Sequence, residues 1–334
     1  MLVLGIETSC DETAIALVKN GCEVLDSQVF SQVDRHRLFG GVVPEVAARE
    51  HLAVIDRLMP TCLENAQVDL QEIDAIAVTQ GPGLVGALLV GVSYAKGLAL
   101  SSGKPLIPVN HVHAHIHGVM LGERQLEYPA LALVASGGHT NLYYMDSPTS
   151  FELLAQSMDD ACGECFDKVA KVFGLNYPGG PFIEKMAEKG RLGEVSMPRM
   201  VEQKSKLAFS YSGLKTYMVN LRRREEDPIP AQRQADIMVA FQEEALGQVA
   251  RKLSSALGVK PNAKSILVAG GVAANKRFRS LVEAAVNVPV FFPPLKYCSD
   301  NAAMIAALGY HMAAKEGLDN FRDLDWDCYS RYQF

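Results

Sequence analysis

No stretch of this 334-residue sequence reads as a membrane span. The longest apolar run, residues 84–100, is broken by Lys96 and three glycines, whereas crossing a bilayer takes about 20 predominantly apolar residues. A secretory leader is not visible either, because charge and turn residues arrive by Glu7-Thr8-Ser9. Cysteine is sparse, with seven residues scattered along the chain. An odd, dispersed set argues against a disulfide framework, and leads us to expect reduced thiols in a cytoplasmic protein that does not engage membranes. The lone Cys162-Gly163-Glu164-Cys165 lacks the second thiolate pair that structural zinc needs. It also follows Asp159-Asp160 rather than a strand, so two small side chains packed on a helix is the better reading. A phosphate-cradling GxxxxGK[ST] pattern is absent.

What is present is apolar enough for a sizeable core. Apolar residues make up 49% and charged residues 21%, a globular balance, and the length suits two lobes of ordinary domain size. The net charge of −6 argues against a nucleic-acid binder that uses its whole surface. Residues 185–224, however, hold ten Lys or Arg against three Glu, a local +7 that can mark a phosphate-facing patch.

Residues 2–7 predict a strand, 8–12 a tight polar turn and 13–18 the returning strand. Asn20-Gly21 is a strong hairpin signal, and 23–31 predicts a third strand. Helical periodicity spans 46–66, with its apolar face at Val46, Ala53, Val54 and Leu58. A buried strand at 73–79 leads into Gly81-Pro82-Gly83-Leu84-Val85-Gly86, which fits the GxGxxG dinucleotide pattern. The acid that should hold the ribose is missing, since the next strand closes on Val109-Asn110-His111, and Pro82 removes a backbone N–H. Close helix packing or a backbone-lined ligand cleft is the better reading of these glycines.

A second beginning at Pro129 repeats the opening plan. Residues 130–135 predict a strand, Ser136-Gly137-Gly138-His139 a turn, 140–145 the return and 151–156 a third strand. This duplication predicts two similar α/β lobes, residues 1–127 and 128–301, facing across a cleft. Further helices are expected after Asp159-Asp160, around Glu184, over 231–257 and after Asn275. Strands are expected at 265–269 and 288–292, and an Ala-rich helix, 302–315, should cross back onto the first lobe.

Four of the eight histidines lie in His111-Val112-His113-Ala114-His115-Ile116-His117. Strict alternation would suit a strand with all four on one face. A helix capped by Asn110 instead sets His111 and His115 one turn apart, where they can share a metal, with His113 and His117 roughly opposite. A strand ending at Val109 leaves Asn110 as a good cap, which favours the helix. A solvated polar helix end would be the bland reading of one histidine, and the clustering outweighs it. His-x-x-x-His is also the zincin spacing, but Val112 stands where a zincin protease has its general-base Glu. A third ligand must come from elsewhere. Asp300, at a strand-to-helix junction, is the best placed, with an ordinary N-cap as the equal alternative. In the second lobe, the turns at Ser136-Gly137-Gly138, Gly179-Gly180 and Gly270-Gly271 can offer backbone N–H groups to phosphate, with Asp167 and Glu184 available for ribose hydroxyls.

Taken together, Gly5-Ile6-Glu7-Thr8-Ser9-Cys10-Asp11-Glu12-Thr13, Gly40-Gly41-Val42-Val43-Pro44-Glu45, Gly81-Pro82-Gly83-Leu84, Asn110-His111 with His115, Ser136-Gly137-Gly138-His139-Thr140, Tyr177-Pro178-Gly179-Gly180-Pro181, Ser212-Gly213-Leu214-Lys215-Thr216, Gly270-Gly271-Val272 with Asn275, and Ser299-Asp300-Asn301 closely resemble the bacterial tRNA N(6)-adenosine threonylcarbamoyltransferases. The match runs over residues 1–310 in the family's order; His113-Ala114 stands where Glu-Gly is expected, and Cys162 and Cys165 where Ala is expected. The resemblance implies a two-lobed actin-like, sugar-kinase and heat-shock-chaperone (ASKHA) fold of duplicated RNase H-like lobes. It implies transfer of threonylcarbamoyl from threonylcarbamoyl-AMP to the N(6) amine of adenosine 37, in tRNAs reading codons that begin with A, with release of AMP. By that pattern His111, His115 and Asp300 hold one divalent metal ion, iron(II) or zinc. Val134, Ala135, Ser136, Gly137, Gly138, Asp167, Gly180, Glu184 and Asn275 hold the adenylate. Asp11 or Glu12 is then the candidate acceptor of the amine's proton, and Lys215, Arg222, Arg223 and Arg224 are candidate tRNA contacts. The implied partners are tRNA, a shorter metal-less relative, a small ATPase and the enzyme that makes the adenylate. A kinase or ATPase of the same fold, a non-catalytic scaffold and, distantly, a metalloprotease are the rival classes.

Overall fold

A computed structural model describes residues 1–122, 126–199 and 207–331. The chain divides into two compact units. Unit 1 is Met1–Leu126, Ser147–Ser150 and Pro293–Phe334, and unit 2 is Glu127–Asp146 and Phe151–Phe292.

Unit 1 opens with a meander of β1 (Leu2–Glu7), β2 (Glu12–Lys19) and β3 (Glu23–Ser31). Asn20 and Gly21 both take positive φ, 54° and 72°, the conformation a two-residue hairpin turn requires, and the one that Asn-Gly tolerates best. Next come α1 (Val33–Arg37), α2 (Pro44–Ala66), β4 (Ala75–Gly81), α3 (Val85–Ser102), β5 (Leu106–Asn110) and α4 (His111–His117). The sheet order is β3-β2-β1-β4-β5, with β4 and β5 parallel to β1. The expected helix over 46–66 is α2, but its buried face is Ala47, His51, Ile55, Met59 and Cys62, not Val46, Ala53, Val54 and Leu58. The reason is His51. A polar residue held at the centre of the buried stripe hides the true four-residue spacing from a count of apolar side chains. α3 is 18 residues of high hydropathy. Ala87, Leu88, Gly91, Ala95 and Ala99 form its buried stripe, and a Cβ on Gly91 would collide with Thr8.

Unit 2 repeats the scheme. Its strands β6 (Ala130–Ala135), β7 (Thr140–Met145) and β8 (Glu152–Gln156) form a second antiparallel meander. Then follow α5 (Cys162–Val172), α6 (Gly179–Ala187), α7 (Ser212–Arg222), α8 (Ala231–Val259), β9 (Ser265–Ala269), α9 (Lys276–Ala285) and β10 (Val290–Phe291). The order β10-β9-β6-β7-β8 is that of unit 1, with β9 and β10 parallel to β6 in the places of β4 and β5. Both sheets are thus RNase H-like.

The chain returns to unit 1 at Pro293, and α10 (Ala302–Glu316) lies on β1. Small residues on both partners permit the close approach. A Cβ on Gly5 would strike the Ala302 carbonyl, and one on Gly309 would lie 2.6 Å from Ala77 Cβ. The cap of α10 is Asn301, whose Oδ1 accepts the Met304 N–H at 3.0 Å. Asp300 is therefore not consumed as a cap.

Candidate functional site

α4 exists as a helix because β5 ends on a residue that can start one. Asn110 closes the strand in extended conformation, and its Oδ1 accepts the His113 N–H at 3.0 Å, a cap worth about 1 kcal/mol. His111 and His115 then face the same way, with ring centroids 4.7 Å apart. Asp300, just before α10, completes the group. One ligand atom from each of the three residues lies within 4.8 Å of the others.

His111 is oriented from behind. Its Nδ1 lies 2.9 Å from Glu7 Oε2 and 3.1 Å from Ser9 Oγ. Glu7 is fully buried at the end of β1 and also accepts from the Thr79 hydroxyl at 2.5 Å and from the Ser9 N–H. A carboxylate at Nδ1 keeps the proton there and turns Nε2 outward, as metal-ligating histidines are commonly held. Nε2 accordingly faces Asp300 Oδ1, at 3.7 Å. Burial pulls the His111 pKa down, but the Glu7 and Asp300 carboxylates outweigh it and hold the imidazole at about 9. Glu7 answers in the opposite sense. Burial pushes it up, and the His111 charge and hydrogen bond bring it below the ordinary carboxylate value.

His115 supplies the test of whether a metal fits. Its Nε2 lies 3.2 Å from Asp300 Oδ1, yet the two are not aligned as a hydrogen bond, and both ring nitrogens are buried without a hydrogen-bond partner among the described residues. Such an unsatisfied buried group costs about 1–3 kcal/mol. A divalent cation among His111 Nε2, His115 Nε2 and an Asp300 oxygen would satisfy the His115 Nε2 lone pair, and two imidazoles with a carboxylate suit iron(II) or zinc. His113 is not one of the three converging residues. Burial lowers its pKa to about 4. His117 is buried, with its ring centroid 5.3 Å from that of His311.

The loop carrying Asp11 and Glu12 belongs to the same unit and is tightly held. Burial keeps His51 below its ordinary pKa, so its neutral ring can donate from Nε2 to the Cys10 carbonyl at 3.0 Å and accept the Thr13 hydroxyl at Nδ1, 2.7 Å away. The Gln32 N–H donates to the Asp11 carbonyl and the Leu84 N–H to the Ser9 carbonyl, at 2.9 and 2.8 Å. A Cβ on Gly83 would come within 2.6 Å of that Ser9 oxygen, so the Gly81-Pro82-Gly83 turn packs on this loop. Burial first, then the charges of Asp11 and Asp300, push the Glu12 carboxyl well above its ordinary range.

In unit 2 the nine candidate nucleotide residues belong to one hydrogen-bonded frame. Val134 and Ala135 end β6, and Ser136 opens the turn, accepting the Gly163 N–H of α5 on its carbonyl at 3.1 Å. Asp167 on α5 accepts the Gly179 N–H of α6 at 2.7 Å, beside Gly180. Glu184 on α6 accepts the Lys276 N–H of α9 at 2.7 Å. Asn275 caps α9 through the Phe278 N–H at 2.9 Å and donates to Gln242 of α8 at 2.9 Å. A Cβ at Gly137, Gly138, Gly180 or Gly271 would meet nothing within 4 Å. Internal packing does not require these glycines, and the open space beside each gives a ligand room to approach the backbone. Cys162 and Cys165 are buried on α5, where burial raises the Cys162 thiol to about 12; such thiols pack rather than react.

The candidate tRNA contacts divide into two kinds. Lys215 is bound to Asp160 at 2.5 Å and Arg222 to Asp227 at 2.7 Å. Arg223 and Arg224 are exposed and have no ion-pair partner among the described residues. Part of the basic segment, 200–206, lies outside the described residues.

Sequence reasoning missed Glu7, Ser9, Thr79 and His51. One signal was available, since Glu7 is a lone acid closing the apolar strand Leu2-Val3-Leu4-Gly5-Ile6, and a buried acid demands partners.

Two units with one strand order, each built on an RNase H-like sheet, give the chain the actin-like, sugar-kinase and heat-shock-chaperone fold. A ROK hexokinase from Thermus thermophilus shares the fold, with a TM-score of 0.53 at 15% identity, covering 95% of this chain and 100% of that one. The sequence profile of tRNA N6-adenosine threonylcarbamoyltransferase matches residues 23–307. A protein of that name from Syntrophomonas wolfei is 47% identical over 317 residues, 93% of this chain and 92% of that one. Another, from Bacillus licheniformis, is 44% identical over 337 residues, covering 96% and 97%. This chain belongs to the tRNA N6-adenosine threonylcarbamoyltransferase family.

Proposed function

We propose that this chain is the acyltransferase that places a threonylcarbamoyl group on the N6 amine of a tRNA adenosine. The family match carries the reading, and the unsatisfied His115 ring beside His111 and Asp300 is the structural observation that supports it. The donor is threonylcarbamoyl-AMP and the acceptor is adenosine 37 of tRNAs reading codons that begin with A. The amine nitrogen attacks the carbamoyl carbon, the bond to the phosphate oxygen breaks, and AMP leaves with that electron pair.

The donor is already an activated anhydride, so the enzyme has to position a weak amine and collect its proton. One divalent ion, iron(II) or zinc, held by His111, His115 and Asp300, would supply Lewis-acid stabilisation of charge on the donor. Glu7 and Ser9 hold His111 in the required tautomer. Val134 to Gly138, with Asp167, Gly180, Glu184 and Asn275, bind the adenylate. Asp11 or Glu12, on the loop beside the His-His-Asp group, takes the amine's proton. Arg223 and Arg224 contact tRNA phosphates. The setting is the cytoplasm, and the partners are a shorter metal-less relative, a small ATPase and the adenylate-forming enzyme.

The test is reconstitution. Zinc-loaded protein, with those partners and threonylcarbamoyl-AMP, should convert adenosine 37 of a cognate tRNA transcript into its threonylcarbamoyl form. A transcript with guanosine at 37 should stay unmodified, because that purine offers no N6 amine. Nucleotide turnover that ignores tRNA, with no modified nucleoside, would favour a kinase or ATPase instead.

A further inference from the structure

The family match ends at residue 307, yet the chain beyond it is closely tied to unit 1. From Asp323 to Cys328 acids alternate with Leu324, Trp326 and Cys328, and those three pack against the core while the acids face solvent. The Lys96 ammonium sits 4.7 Å from the centroid of the Trp326 indole and donates to the Trp326 carbonyl. Gln80 then takes hold of the strap, its Nε2 donating to the Asp327 carbonyl at 2.8 Å and its carbonyl accepting the Tyr329 N–H at 3.1 Å. A Cβ on Gly81 would collide with the carbonyl and ring of Tyr329. The smallness of that motif glycine is thus required by the strap.

The strap's hydrogen bond with Asn110 is the informative one. Asn110 Nδ2 donates to Tyr329 Oη at 2.9 Å, while Oδ1 of the same amide caps α4. Without the phenol, the Asn110 side chain could rotate or flip and lose the cap. A seven-residue helix has little stability of its own against that loss, and it carries His111 and His115. We infer that Tyr329 is a positioning residue for the transfer reaction, fixing through Asn110 the approach of both histidines to Asp300. The inference rests on the metal reading proposed above.

Zinc titration of the full-length, metal-free protein tests it, read alongside thermal unfolding. Tyr329→Phe keeps the ring and should lower zinc affinity roughly tenfold, as removal of a group that orients a metal ligand does, with an unfolding temperature close to that of the parent. Trp326→Ala, which loosens the strap without touching Asn110, should act in the same direction. Asn110→Ala should cost at least as much as Tyr329→Phe, and the double variant no more than Asn110→Ala alone, because both act through one amide. Zinc binding by Tyr329→Phe equal to the parent's, or losses that simply add in the double variant, would overturn the inference. A parent that binds zinc no better than His115→Ala would sink the metal reading, and the inference with it.

Discussion

Asp300 is the residue on which the candidate centre turns, because α4 can supply two imidazoles but no charge to match a divalent ion. Asn301 takes over the capping of α10, which leaves the neighbouring carboxylate for the histidines. His111→Ala, His115→Ala and Asp300→Ala should therefore each lose most bound metal with the fold intact, and His113→Ala should keep it. Elemental analysis of the purified variants checks this, and a His113→Ala protein as metal-poor as His111→Ala would contradict the geometry. Glu7→Gln preserves shape but withdraws the charge behind His111. It should weaken metal binding by roughly 10–100-fold, measured by competition with a chelator, and an unchanged affinity would mean that Glu7 is only a core acid. At this scale the sequence was legible where spacing alone sets geometry, as for His111 and His115 on a capped helix. It was silent on Glu7, Ser9 and Tyr329, whose roles arise from residues 72 to 219 positions away coming together.

Among the elements, α7 is anchored at its start by a residue distant in sequence. Asp159 accepts the Tyr211 and Ser212 N–H groups at 2.7 and 3.2 Å and the Ser210 and Ser212 hydroxyls at 2.6 and 2.7 Å. It is the N-terminal anchor of that helix, and Asp160 adds the tie to Lys215. Slight burial pushes the Asp159 carboxyl up, and these hydrogen bonds outweigh it and hold the group below its ordinary value. A carboxylate lowered in the fold contributes stability that is present in full above its unfolded pKa and is lost as pH falls through its depressed folded value. Asp159→Asn should thus be about 1 kcal/mol less stable near neutral pH, and should lose less than the parent on further acidification. Urea unfolding across an acid series reads both, and parallel curves for the two proteins would refute the assignment. The elements were legible where apolar spacing was clean, as in α8 and α10. α2 was found but turned by about one residue, because its central buried position is a histidine, and the strap after α10 was missed because it makes no regular hydrogen-bonded element.

For the whole molecule, the duplicated opening is what revealed two like units, since strand, turn, strand, turn, strand is written in local signals twice over. The return of the chain to unit 1, at Pro293, was legible in the Ala-rich composition of 302–315, whose small side chains let α10 approach Gly5. Charge is the other whole-molecule property. With Lys215 and Arg222 already paired, Arg223 and Arg224 are the exposed cations of α7's end. Neutralising both should weaken tRNA binding and reduce the dependence of log affinity on log salt by about 0.9 for each duplex phosphate no longer neutralised. Equal slopes would leave them as solvated charge.

Threonylcarbamoyl transfer is tested most directly on the tRNA of the cell itself. When the protein is depleted and then restored, mass spectrometry of tRNA nucleosides should show threonylcarbamoyl-adenosine falling and recovering in step, with restoration by His115→Ala failing. A level of that nucleoside indifferent to the protein would contradict the account.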